Sequence, residues 1–251
     1  MAGHSHWANI ARKKSVIDKK RGKLWSKLSK AIIVAAKMGG PDPDANLRLR
    51  YAINDAKAVS VPKDNIERAI KKGAGESGGS NYEEVLYEGY GPYGVAVLCD
   101  ILTDNRNRTA PEIRKVFELS GGKLGATGCV AWMFDRKGLL TIPADQIEED
   151  RLLEIALEAG AEDVKQIDDQ YEVTCDPDVF SDVSQAIEKA DLQPETSQIA
   201  RLPKETVELD VESAKQVLKL MELLDDHDDV QSVSANFSIP DEALAQLGQE
   251  S

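Results

Sequence analysis

The chain has 251 residues, 41% of them hydrophobic and 30% charged, and its 31 lysines and arginines face 44 aspartates and glutamates, a formal net charge of −13. That suits one large domain or two to three small ones, each with its own core. No apolar run approaches the roughly 18 residues of a membrane span, the opening MAGHSHWANIARKKS lacks the apolar stretch of a secretory signal, and Cys99, Cys129 and Cys175 lie far apart without C-x-x-C spacing, as expected of reduced structural thiols in a cytoplasmic protein.

The charge is unevenly spread. Residues 1–72 hold 17 lysines and arginines against 6 aspartates and glutamates, or +11, which leaves −24 for residues 73–251. A basic segment joined to an acidic body suggests a polyanion-binding module. The competing reading is that the two parts attract each other within the molecule. At the very start, if Met1 is removed ahead of the small Ala2, the free amine, two amide nitrogens and the His4 imidazole can enclose Cu(II) in a square plane. No physiological role is assigned to that arrangement, and no cofactor is expected.

Residues 18–40, DKKRGKLWSKLSKAIIVAAKMGG, read as the first helix. At 100° per residue, Lys19, Lys20, Lys23, Lys27, Lys30 and Lys37 share an arc of about 100°, with Trp25, Leu28, Ile32, Ala35 and Ala36 opposite. The pattern is a core face backed by a lysine ridge, with only Asp18 nearby in sequence to oppose it. If all six lysines met phosphates on a duplex, the log–log salt slope would be about −5, roughly a thousandfold weakening from 50 to 200 mM salt. GGPDPD ends this helix. Asp44 is the expected N-cap of a second helix, ANLRLRYAINDAKAVS, and VPKDNIERAIKK is a third with Pro62 in its first turn. The three helices form a small bundle.

GAGESGGS (73–80) reads as a linker. It matches G-x-G-x-x-G but follows a helix and precedes none, so it is not a dinucleotide loop. GYGPYG (89–94) matches the same pattern and precedes a strand, which makes it a hairpin turn. Beyond the linker the hydrophobic period becomes two. YEEVLYEGY and GVAVLCDILT pair as a hairpin. TAPEIRKVFELSGG is a helix with a Thr109/Glu112 capping box and Pro111 in its first turn, and CVAWMF is a further strand. Residues 139–202 then read β-α-β-β-α-β, a ferredoxin-like unit. ETVELD, the helix VESAKQVLKLMELLDD and the strand VQSVSANF are expected to complete the first sheet. The chain is thus expected to be α+β, with a basic helical domain (1–76), a split α/β domain (80–134 plus 205–240) and a ferredoxin-like domain (135–204) inserted in it. The tail PDEALAQLGQES is expected to fray.

Four stretches, MAGHSHWANIARKKSVIDKKRGKLWSKLSKAI, NLRLRYAINDAKAVSVPKDNIERAIKKGAG, YEGYGPYGVAVLCDILTDNRNRT and GCVAWMFDRKG, together resemble the YebC/PmpR family. The resemblance runs through roughly the first 140 residues, and the domain order fits the rest. It implies a helical N-terminal domain followed by two α/β domains around a cleft. It also implies a probable DNA-binding transcriptional regulator. Mitochondrial and bacterial relatives described as translation factors at the ribosome supply the alternative, with ribosomal RNA as ligand. His6 stands where the family pattern has Lys, which removes one fixed charge.

The expected nucleic-acid contacts are Arg12, Lys13, Lys14, Lys19, Lys20, Arg21, Lys23, Lys27, Lys30, Lys37, Arg48, Arg50 and Lys57. Phosphate contacts position without specifying, and no helix presents base-reading side chains in a helix-turn-helix frame, so modest sequence discrimination is expected. TDNRNRT (103–109), at a strand end before a helix N-terminus, suggests a second anion site from Arg106 and Arg108, with Lys123 on a flexible GGKLG loop at the helix's far end. The alternative there is a polar turn whose arginines pair with nearby acids. No Ser/His/Asp or Cys/His arrangement and no P-loop can be assembled, so a non-enzymatic, monomeric protein is expected. The run Asp225, Asp226, His227, Asp228, Asp229 resembles a cation loop, but a solvated turn is the preferred reading and no metal is expected.

Overall fold

The computed structural model describes residues 19–75 and 81–240, together with 243, 246 and 247. The Ala2-Gly3-His4 amine site and His6 lie outside these residues, as do most of the GAGESGGS linker and of the C-terminal tail. The chain is α+β, with seven α-helices among the described residues. No helix among them is long and apolar enough to cross a membrane.

Three helices come first: α1 (Lys19–Gly39), α2 (Leu47–Ala58) and α3 (Lys63–Gly73). Ile32, Ala35 and Ala36 of α1 meet Leu49, Ile53 and Ala56 of α2 and Ile66 and Ala69 of α3 in one buried cluster. Alanines at these positions let the helices approach closely. So does Gly73, where a Cβ would lie 2.4 Å from the Ile33 carbonyl oxygen and 2.7 Å from Ala36 Cβ. The N-cap of α2 is Asn46 and not Asp44. The Asn46 side chain accepts from Leu49 N–H and donates to the Ala35 and Gly40 carbonyls at 2.8 Å. One side chain thus both caps a helix and closes the α1–α2 turn. Pro62 sits just before α3 and not within it.

The first sheet has the order β3-β1-β2-β9, from β1 (Glu83–Tyr90), β2 (Ala96–Thr103), β3 (Lys123–Leu124) and β9 (Val230–Ala235), all antiparallel. A 3-10 turn at Pro92–Gly94 closes the β1–β2 hairpin. Helices α4 (Arg106–Leu119) and α7 (Val211–Asp225) cover one face through Ile113, Phe117, Val217, Leu220 and Leu224. Val130 and Phe134, from the segment that leads out of this sheet, cover the other against Ala96 and Leu98. Central strand β2 is therefore apolar on both faces, as AVLCDILT reads.

The second sheet has the order β5-β6-β4-β7, from β4 (Phe134–Pro143), β5 (Ala161–Ile167), β6 (Gln170–Cys175) and β7 (Thr196–Pro203). With α5 (Glu149–Glu158) and α6 (Phe180–Lys189) it forms the antiparallel β-α-β-β-α-β arrangement. Its chain segment falls between β3 and β9 of the first sheet. Tyr51 of α2 packs on Phe180 with ring centroids 5.2 Å apart, joining the helices to this sheet.

Several local expectations need correcting. Helix α4 starts at Arg106, capped by the Asn105 side chain on Arg108 N–H, so there is no Thr109/Glu112 box and Pro111 lies inside the helix. The carbonyl that loses its partner belongs to exposed Asn107 and stays open to water. CVAWMF is not a strand up to Met133, because the Val130 and Ala131 N–H groups bind the Glu88 carboxylate and are lost to a ladder. GGKLG is not a free loop, since Lys123 pairs with Tyr90 and Leu124 with Gly89. Strand β8 (Val207–Glu208) pairs with β10 (Phe237–Ser238) in a separate parallel ladder and does not join the first sheet.

Candidate nucleic-acid interface

Helix α1 presents its lysines where the turn between α7 and β9 presents its acids. Lys23, Lys27 and Lys30 stand at i, i+4 and i+7 on one face. Lys23 Nζ donates to the Asp226 carboxylate at 2.8 Å and to its carbonyl at 3.1 Å. Lys27 donates to the Asp225 carbonyl and, at 3.3 Å, to its carboxylate. Lys30 donates to the Asp228 carbonyl at 2.9 Å and to Asp229 Oδ1 at 2.6 Å. The expected solvated turn is instead a cap on the lysine face. Lys23 keeps 45% of its side-chain exposure, but Lys27 keeps 11% and Lys30 12%.

Asp229 is the deepest member, with its residue 2% exposed. Its Oδ2 also receives Arg108 at 2.6 Å, the Thr109 hydroxyl at 2.7 Å and the Thr103 hydroxyl at 3.1 Å. Burial pushes this carboxyl up, but the Lys30, Arg108 and Thr109 hydrogen bonds outweigh it and hold the group well below the usual carboxylate range. One side chain thus ties α1, the end of β2, the start of α4 and the α7–β9 turn together. His227 shapes the same turn. The Asp229 N–H donates to its Nδ1 at 3.1 Å, which leaves Nε2–H for Glu112 at 3.1 Å. Among the described residues no group of three or more His, Cys, Asp or Glu side chains could hold a metal ion.

The remaining candidate residues are dispersed. Arg12, Lys13 and Lys14 lie outside the described residues, and of Lys19, Lys20 and Arg21 only the helical backbone is described. Arg48 pairs with Glu84. Arg50 turns back onto the Pro43 and Asp44 carbonyls at 3.0 and 2.9 Å. Lys37 and Lys57 are exposed and make no ion pair among the described residues. The same holds for Lys71 and for half-exposed Lys72, which the ridge argument missed because they lie on α3. The seat of Gly73 on Ile33 and Ala36 brings Lys71 and Lys72 beside the stretch of α1 that ends in Lys37.

The second anion set does not converge. Arg106 pairs with Glu83 at 3.3 Å, and Arg108 pairs with Asp104 as well as Asp229. Lys123 stands in β3, past the far end of α4. That helix has 14 residues, a length of about 21 Å.

Glu88 is a further polar node that sequence reasoning missed. It is 2% exposed, and its carboxylate accepts from the N–H groups of Gly128 at 2.6 Å, Val130 at 3.0 Å and Ala131 at 2.8 Å. Burial pushes its carboxyl up, and the three N–H groups more than reverse that. A glutamate on the same strand face as Leu86 was the available signal.

The geometry can be set beside known proteins. The family model described as "TACO1/YebC protein N-terminal domain" matches residues 5–76, and that described as "TACO1/YebC second and third domain" matches residues 82–237. The chain is 56% identical to a "Probable transcriptional regulatory protein" of Rhodopirellula baltica, over 98% of this chain and 100% of that one. It is 55% identical to one of Natranaerobius thermophilus, over 99% and 100%. A crystal structure of a conserved hypothetical protein from Aquifex aeolicus superposes with a TM-score of 0.85 at 50% identity, covering 94% of this chain and 98% of that one.

Proposed function

This chain belongs to the TACO1/YebC family, and from that premise we propose that it is a non-enzymatic nucleic-acid-binding regulator of gene expression, acting on DNA in transcription. The observation that carries the reading is the charge division, +11 in residues 1–72 against −24 beyond them. Lys37, Lys57, Lys71 and Lys72 offer phosphate contacts on the helical bundle, while the acidic body repels phosphate elsewhere and limits unspecific coating. The names of the Rhodopirellula and Natranaerobius relatives, each a probable transcriptional regulatory protein, support the regulatory role.

A second reading, folded RNA at the ribosome, is favoured by one observation. Helix α1 offers lysines but no asparagine or glutamine for base edges, which suits recognition of shape and backbone. Ultraviolet crosslinking in cells, followed by sequencing of the attached nucleic acid, separates the two. Promoter DNA at a limited set of sites supports the transcriptional reading. Crosslinks concentrated in ribosomal RNA replace it with the second.

A further inference from the structure

The three lysines best placed to form a ridge are the three that the protein covers with its own acids. The cover is graded. At its inner end Asp229 is buried, holds Lys30 and Arg108 at 2.6 Å each, and takes two hydroxyls besides. At its outer end Asp226 and Asp225 keep 51% and 55% side-chain exposure while they hold Lys23 and Lys27. Lys27 itself is only 11% exposed, but both outer carboxylates face solvent, so these pairs are weaker and more readily screened by salt than those of the buried, multiply bonded Asp229 carboxylate, which is not readily displaced.

From this grading we infer that the outer part of the α7–β9 turn is an internal competitor for the nucleic-acid surface, occupying Lys23 and Lys27 until phosphates replace Asp225 and Asp226. The inference rests on the reading above, because it concerns the regulation of that same surface. The turn presents carboxylates and carbonyls to consecutive lysines of one helix face, as a phosphate backbone would. Asp229 stays in place as the anchor, so the outer turn can lift without detaching α1 from the first sheet. Weak polyanions and isolated phosphates do not open it, and a long, regularly charged strand does. The acidic turn thereby raises the threshold for binding and adds discrimination to a surface that has little of its own.

The test uses the full-length chain with a fluorescent DNA duplex and a fluorescent RNA hairpin, read by anisotropy at 50 mM and 200 mM salt. Asp225→Asn with Asp226→Asn is compared with wild type. The charge-matched control is Asp145→Asn with Glu149→Gln, two exposed positions on the second sheet's side of the chain. The expected result is a roughly threefold to thirtyfold gain in affinity at 50 mM salt for the turn variant, from two pairs with solvent-facing carboxylates released, and less than twofold for the control. In a Lys23→Gln, Lys27→Gln background the same turn substitutions give no gain. Equal gains in the turn variant and the control, or a gain that survives loss of both lysines, overturn the competitor while leaving nucleic-acid binding standing. If wild type and every variant fail to bind either probe, the functional reading fails and the competitor falls with it.

Discussion

Replacing Asp229 by asparagine removes a negative charge from the point where four elements meet. The amide still offers one oxygen, which the Arg108 guanidinium and the Thr109 hydroxyl can share. Its NH2 group must then face Lys30, whose side chain is 12% exposed and keeps the Asp228 carbonyl and the face of the Tyr82 ring, 5.9 Å from its centroid. Removing one partner from a buried pair costs about 3–5 kcal/mol. Here Arg108 is 45% exposed and retains Asp104, so the expected loss is about 2–4 kcal/mol. Unfolding of a chain with several cores need not be two-state, so the readout is amide exchange in α1 and in residues 225–231. The variant should open there with the full loss while β5 and β6 of the second sheet keep wild-type protection. The pH dependence has a definite sign. The folded carboxyl is depressed, so its stabilisation is complete above the unfolded carboxylate value of about 4 and fades as pH falls below it. The difference between wild type and Asp229→Asn therefore shrinks from pH 5 towards pH 2. A difference under about 0.5 kcal/mol at pH 7, within the range of ordinary surface substitutions, refutes the account of Asp229 as the joint.

Other expectations are local. Gly73→Ala puts a methyl against the Ile33 carbonyl and Ala36, so α3 must shift from α1 at a cost of about 1–3 kcal/mol, read as lower amide protection in α3; unchanged protection contradicts the close-approach argument. Glu88→Gln swaps an acceptor oxygen for a donor that faces backbone N–H groups, at about 1–3 kcal/mol. It should speed amide exchange at Gly128, Val130 and Ala131 more than anywhere in the first sheet. Cysteine alkylation of the native chain near pH 7.5 should mark Cys129, slowly, because burial and Glu88 raise its thiol but it remains half-buried. Cys175, pushed by burial to about 11, and fully buried Cys99 should react only after unfolding, and labelling of Cys99 first would contradict the packing.

The helical face of α1 was legible because lysines and apolar residues alternate at a helical period along its 21 residues. Its electrostatic partner was not, because Asp225 and Asp229 lie about two hundred residues away and no local pattern encodes a contact at that distance. The charge division contained both possibilities, an external polyanion and an internal one, and the folded chain uses the internal one for Lys23, Lys27 and Lys30. The β-α-β-β-α-β order of the second sheet was readable from alternation and turn residues. Three failures came from polar side chains, Asn46 in place of Asp44, Asn105 in place of Thr109, and Glu88 removing the N–H groups that would have made CVAWMF a strand; two more came from strand pairing, of Lys123–Leu124 with β1 and of β8 with β10. Periodicity reports which face is apolar. It does not report where a buried polar group finds its partner.

The central claim, that the helical bundle binds nucleic acid through its uncovered lysines, is most directly tested by a salt titration of duplex affinity. Wild type is compared with Lys37→Gln, Lys57→Gln, Lys71→Gln, Lys72→Gln combined, three exposed residues and one half-exposed, each replaced by a polar side chain so that the fold is spared. The account predicts a linear fall of log affinity with log salt, and a slope shallower in the variant by up to about 3–4 if each lysine meets a phosphate. Affinity that ignores salt, or a slope that the four substitutions leave unchanged, would contradict it.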